Sequence, residues 1–168
     1  MHIFLTGKSQ IGKTTIIRHF LTQTGLSADG FMTYWESVCD KGRNLYLSPY
    51  DKEQRATEKH FIVQDNGGIL LESELTKMVF DEQGSAILNA SGKHDIIVMD
   101  ELGFFESQAN VFQNAVIQRL SGNTPILGVI KPIQTEFLDI IRAHHNVMVR
   151  EVTTDNRDAI LTWLLQHG

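Results

Sequence analysis

The stretch FLTGKSQIGKTTI, Phe4–Ile16, decides how the rest of the chain is read. It passes from an apolar run into a loop with glycines flanking a mostly polar tetrapeptide. A lysine, two threonines and the start of a second apolar pattern follow. A turn that only reverses the chain needs neither that lysine nor those threonines. Gly7-Lys8-Ser9-Gln10-Ile11-Gly12-Lys13-Thr14 satisfies G-x-x-x-x-G-K-[ST] at every position. The residue types answer a chemical demand. Glycines let the main chain wrap closely around a phosphate chain with its N–H groups turned inward. The amides of Lys8, Ser9, Gln10 and Ile11 then serve as anion donors whatever their side chains. The helix that follows brings the positive end of its dipole to the same point. Lys13 is placed to reach the β- and γ-phosphates, the Thr14 hydroxyl to ligate Mg²⁺, and Thr15 to meet the α-phosphate. The Lys8 side chain, inside the variable part of the loop, is assigned to solvent. A chance match in a chain of this length has odds on the order of 1%, so a ligand-free glycine turn is the poorer account.

Outward from this loop, His2–Thr6 reads as a buried strand and Lys13–Thr22 as a helix with Gly25 at its C-terminal cap. Ala28–Val38 is β-branched and aromatic, "DKG" at Asp40–Gly42 signals a turn, and "RNLYLSPY" resumes extended structure, which predicts a hairpin. His60–Gln64 is a further short strand, and Leu71–Ala90 is expected to be helical with Gly84 as a possible break. His94–Glu101 is a continuous apolar strand ending in two acids. Gln108–Leu120 (helix), Pro125–Ile130 (strand), Glu136–Ala143 (helix), Asn146–Val152 (strand) and Asp155–Gln166 (helix) complete the alternation. Continuous apolar strands alternating with helices imply a parallel sheet covered on both faces. The expected architecture is an α/β P-loop nucleoside-triphosphatase fold. Its central sheet is mostly parallel, with helices on both faces and an antiparallel edge hairpin, as one domain over residues 1–168. Ligands of such sheets bind at the C-terminal strand ends, where both polar clusters fall.

The second cluster is "IIVMDE". An aspartate at that strand end, Asp100, is suited to hold Mg²⁺ opposite Thr14. Glu101, one residue on, points elsewhere and is suited to orient and deprotonate a water for in-line attack on the γ-phosphate.

Composition narrows the alternatives. The chain has 168 residues, 42% hydrophobic and 21% charged, with a formal net charge of −5. That fits one globular unit and argues against a broad nucleic-acid-binding face. The lone cysteine, Cys39, excludes an internal disulfide and suits a reducing cytoplasm, the expected compartment. No signal peptide is expected at the N-terminus, and no apolar run approaches the roughly 20 residues that span a bilayer.

With these motifs in place, the sequence resembles the small P-loop nucleoside-triphosphatases of the THEP type over nearly its whole length. "TGKSQIGKTT" is similar to their first motif, and "DGFMTYWESVCDKGRNLYL" to their Gly-Phe-x-Thr-x-Glu segment followed by Gly-x-Arg. "VMDELGFFE" resembles their Asp-Glu-Ile-Gly-x-Met-Glu signature, carrying Asp100, Glu101, Gly103 and Glu106. "EVTTDNRDAI" resembles their Thr-x-x-Asn-Arg element, carrying Thr153, Asn156 and Arg157. The resemblance implies Mg²⁺-dependent hydrolysis of nucleoside triphosphates to diphosphates and phosphate, with loose base preference. The chain departs from the family in three places. Ser9-Gln10 replaces a proline-glycine pair in the family's Gly-Pro-Pro-Gly-Val-Gly loop, Phe105 stands where methionine is usual, and Asp51–Gly92 fits poorly.

Several weaker candidates remain. Asn156 and Arg157 follow the last strand, which is expected beside the first, so they are candidates to contact the base by hydrogen bond and by stacking. The plainer alternative is a helix start capped by Thr154 or Asp155. Arg43, at the family's Gly-x-Arg position, is a candidate to stabilise transition-state charge; such arginines are worth about 10³–10⁵ in rate. A solvated strand arginine is the alternative, and Glu36 on the preceding strand is a candidate either for its partner or for lining the pocket. Lys131 is another cation at a strand end. Tyr34 and Trp35 read as hairpin packing. Adjacent His144 and His145 are expected to point apart and to form a surface turn rather than a metal site. The function expected is Mg²⁺–NTP hydrolysis by Lys13, Thr14, Asp100 and Glu101. The rivals are a small-molecule or nucleotide kinase and a nucleotide-gated module that meets a partner protein through the hairpin.

Overall fold

A computed structural model describes residues 1–38, 42–50, 58–66, 70–71 and 74–167. The expected turn at Asp40–Gly42 therefore lies mostly outside the described residues, as does Cys39. The strands are β1 (His2–Thr6), β2 (Ala28–Ser37), β3 (Arg43–Pro49), β4 (His60–Asp65), β5 (Leu70–Leu71), β6 (Ile96–Leu102), β7 (Ile126–Ile130) and β8 (Val147–Glu151). They form one sheet in the order β5-β4-β3-β2-β6-β7-β1-β8. Pairing is parallel from β2 through β6, β7 and β1 to β8. From β2 outward through β3 and β4 to β5 it is antiparallel. The expected hairpin is present as β2–β3, and β4 and β5 carry the antiparallel region further.

The parallel strands bury both faces, which is why they read as unbroken apolar runs. Ile3 and Leu5 face one side with Ile16, Ile17 and Phe20 of α1 (Lys13–Thr24), together with Leu164 of the closing helix. Phe4, Ile97 and Met99 face the other, against Leu88, Phe112, Val116, Leu138 and Ile141. Those residues come from α3 (Ser85–Ala90), α4 (Asn110–Leu120) and α5 (Glu136–Ala143). The closing helix is α6 (Arg157–His167).

The segment expected as one helix from Leu71 differs in detail. Leu71 belongs to β5, and the helix starts with α2 (Glu74–Met78). A π-helical turn over Val79–Gly84 then leads into α3. Gly84 does not break it. Its backbone is helical (φ −60, ψ −43), and a Cβ there would stand 2.7 Å from Cδ2 of Phe112. The glycine is there for close approach to α4. The same turn caps α4, because Asp81 Oδ1 accepts from the Val111 and Phe112 amides at 2.9 and 3.1 Å.

Candidate functional site

β1 and β6 end on the same side of the sheet with β7 between them, so the loop after β1 and the acids ending β6 converge. The loop starts at Gly7, whose φ of +132 favours glycine. A Cβ there would also lie 2.4 Å from the Val152 carbonyl oxygen just past β8. Gly12, at φ +101, opens α1 with no side-chain cap, so the first helical amides keep their donor capacity for an anion. Gln10 is left-handed, φ 61, without being glycine. This is where the family carries glycine, so the departure noted in the sequence keeps the loop's backbone at some conformational cost.

Lys13 is buried and donates to the Gly7 and Lys8 carbonyls, each at 2.8 Å. Its ammonium is thus held across the loop with further donor capacity. Burial lowers its pKa, opposed by the charges of Glu101 and Asp100. Lys8 and Thr15 are exposed, as expected for Lys8, while Thr14 is half-buried. Asp100 is 3% exposed. Burial pushes its carboxyl up to about 6, with the Thr14 hydroxyl bond pulling it down and the Glu101 charge adding to the rise. Its Oδ2 is buried without a hydrogen-bond partner. A buried, unpaired carboxylate oxygen and a threonine hydroxyl are hard oxygen donors of the kind that could hold a divalent cation.

β6 is irregular at this point. Its register with β7 shifts between Asp100 and Leu102, and the Asp100–Glu101 peptide is cis. The Glu101 amide donates to the Thr33 hydroxyl of β2 at 3.4 Å. The Glu101 carboxylate pairs with Lys131 at 3.2 Å. One cleft is lined by Ser9, Thr14, Asp100, Glu101 and Lys131, with Trp35, Phe105 and Glu106 along its far wall.

The structure brings together the loop, Lys13, Thr14, Asp100 and Glu101. It places Arg43 elsewhere: its guanidinium bonds Asp65 at 2.9 Å and covers the Trp35 ring at 4.4 Å. Of the two readings of Arg43, this placement fits the half-exposed strand arginine. The hairpin register sets Arg43 opposite Asp65 of β4, and it stands behind Trp35 rather than in the cleft. Glu36, a candidate for its partner, pairs instead with Lys59 at 2.7 Å. Trp35 is hairpin packing and cleft wall at once.

β8 lies beside β1, as expected, and its following turn flanks the loop. The Asn156 amide group is engaged within that turn. Oδ1 accepts from the Thr153 amide at 2.8 Å, and Nδ2 donates to the Glu151 carbonyl at 2.9 Å. Arg157 opens α6 with its stem on the loop, where a Gly12 Cβ would stand 3.2 Å from Arg157 Cδ. The His144 and His145 rings do not point apart; they stack at 4.6 Å. Among the described residues no cluster of three His, Cys, Asp or Glu forms a metal cage, and no helix is long and apolar enough to cross a membrane.

Sequence reasoning missed Glu106 as a site residue. It is 2% exposed, accepts the Gly103 amide, and is pushed up to about 7 by burial. Its only sequence signal was its place in the "DELGFFE" signature. Lys131 was flagged as a cation at a strand end, but its pairing with Glu101 depends on contact across β6 and β7.

Comparison with known proteins agrees with this arrangement. The sequence model described as NTPase matches residues 2–165. A mouse protein named cancer-related nucleoside-triphosphatase homolog is 29% identical, over 95% of this chain and 92% of its own. The solution structure of a human cancer-related nucleoside triphosphatase superposes with TM-score 0.67 at 26% identity, covering 98% of this chain and 95% of that one. The crystal structure of THEP1 from the hyperthermophile Aquifex aeolicus superposes with TM-score 0.72 at 24% identity, covering 99% and 98%.

Proposed function

The chain belongs to the NTPase family, and from that membership we propose that it is a Mg²⁺-dependent nucleoside triphosphatase of loose base preference. NTP hydrolysis itself goes with the family and with the names of its relatives. One observation carries the assignment of roles. The Lys13 ammonium, held across a glycine loop, accompanies a buried Asp100 whose Oδ2 has no hydrogen-bond partner, with Thr14 lining the same cleft.

The loop amides and Lys13 bind and orient the phosphates. Thr14 and Asp100 are the residues that would hold Mg²⁺. Two protein oxygens, with no larger His, Cys, Asp or Glu cage among the described residues, suit an ion that keeps waters and phosphate oxygens as its other ligands. When bound, that ion neutralises charge on the β- and γ-phosphates. Glu101 orients water and takes its proton as the water oxygen bonds to the γ-phosphorus. The bond from that phosphorus to the bridging oxygen breaks, and the oxygen leaves with the electron pair on the nucleoside diphosphate. Arg157 is the base-side contact and Asn156 the residue that shapes its turn. A guanidinium reads a π-face that every base presents, which is the physical basis for loose preference.

The test is phosphate release with Mg²⁺ and each of ATP, GTP, CTP and UTP, for the native protein, Lys13→Ala and Glu101→Gln. Release from all four is expected. Lys13→Ala should lose nucleotide binding and turnover together, and Glu101→Gln should lose turnover while still binding. Unchanged activity in both variants would overturn the roles, and release that needs an added acceptor would make the protein a kinase.

A further inference from the structure

We propose that Lys131 is a catalytic cation that stabilises charge on the transferring phosphoryl group, supplied within this chain by the strand between the phosphate loop and the acidic pair. The proposal rests on the hydrolytic reading above. β7 pairs with both β1 and β6, and Lys131 is the first residue beyond it. Its amide donates to the Leu102 carbonyl at 2.9 Å, which pins its backbone to the end of the acid-bearing strand. Its ammonium lies 3.2 Å from Glu101 and lines the same cleft as Ser9, Thr14 and Asp100.

The sequence makes room for this side chain. A Cβ on Gly103 would stand 2.8 Å from Lys131 Cδ. Gly103 has no positive φ among those observed, so what a methyl there would meet is the lysine stem, a flexible chain that would shift to make room. The pair with Glu101 is not a structural necessity. Lys131 is 39% exposed and Glu101 26% exposed on their side chains, and such pairs add little stability. Two candidate arginines among the described residues have other placements. Arg43 is bound to Asp65 behind Trp35, and Arg157 lies on Gly12.

Lys131 acts as a hydrogen-bond donor and takes no part in the proton transfer. The water oxygen bonds to the γ-phosphorus, the bond to the bridging oxygen breaks, and the water proton goes to Glu101. Lys131 donates hydrogen bonds to a non-bridging γ-oxygen as charge redistributes over the phosphoryl group. In the structure described it holds the Glu101 carboxylate, so triphosphate binding would draw the lysine to phosphate and leave that carboxylate for water.

The experiment compares Lys131→Met, Lys131→Arg and Gly103→Ala with the native protein in three measurements. These are kcat for phosphate release, affinity for a fluorescent nonhydrolysable triphosphate, and trapping of Mg²⁺–ADP with aluminium fluoride, a mimic of the transferring group. Lys131→Met should lower kcat about 10²–10³-fold. It should also abolish trapping while triphosphate affinity changes by less than about threefold. Lys131→Arg should keep most of the rate, and Gly103→Ala, which displaces the stem, should fall between. Lys131→Met with kcat and trapping near native would overturn the proposal. So would a loss of affinity in step with kcat, because that is uniform phosphate binding. If Lys13→Ala and Glu101→Gln are also without effect, the hydrolytic reading fails; if they are inactive while Lys131→Met is not, only the lysine's role is refuted.

Discussion

Strands β6, β7 and β1 bury almost every side chain and end together at the cleft. Strands β2 to β4 carry half-exposed residues along much of their length and their charges are tied within this wing, Arg43 to Asp65 and Glu36 to Lys59 just before β4. The difference comes from topology. A parallel strand covered on both faces has nowhere to put a charge except its end, so charges collect where the ends meet. An antiparallel wing with a solvated face satisfies its charges laterally, across the ladder. On the proposed reading, charge in the first region serves chemistry, and in the second it serves the fold.

The largest expected effect probes the first half of that contrast. Lys13→Ala should reduce kcat/KM about 10³-fold with little change in thermal melting. A collapse of melting without nucleotide would mean that the ammonium mainly holds the loop together. Next comes Glu106, a carboxyl buried at the cleft and raised from 4.5 to about 7. Between those values the folded state binds more protons than the unfolded state, so its contribution is full below about 4.5 and is lost as pH rises through 7. Urea denaturation should show native stability falling across that window by on the order of 3 kcal/mol more than in Glu106→Gln. Parallel pH profiles would show that the carboxyl is not held neutral.

Smaller effects probe the periphery. Gly84→Ala forces a methyl against Phe112 and should cost about 1–3 kcal/mol by overpacking while kcat stays native. A change in kcat would couple the π-helical turn to the cleft. Smallest is Arg43→Ala. Loss of a half-exposed ion pair should cost no more than about 1 kcal/mol, with kcat within about threefold of native. A drop as deep as that expected for Lys131→Met would bring the hairpin into the active site and erase the contrast.

What the sequence made legible divides along the same line. The phosphate loop, α1 and the acids of β6 are encoded in contiguous residues whose spacing is the chemistry, so they were readable. β8 beside β1 followed from the general behaviour of such sheets. The partner of Arg43 was not legible because it depends on the register of β3 against β4, which no local pattern states. Gly84 read as a breaker because its reason is a phenyl ring on another helix. Glu106 was under-read because a glutamate after two phenylalanines gives no sign of its own burial. The walls of the cleft around it are set by tertiary contact.

The strands that feed the phosphate loop and the carboxylates are never neighbours, because β7 bonds to both. Their separation is therefore two interstrand spacings, about 9–10 Å. That width is gauged by main-chain ladders, which side-chain substitution leaves intact. Mutation along β7 can alter how well the gap is packed below, but the span across which a polyanion and its counterion must bridge is written into strand order. Selection can retune the groups on either bank far more easily than it can move the banks.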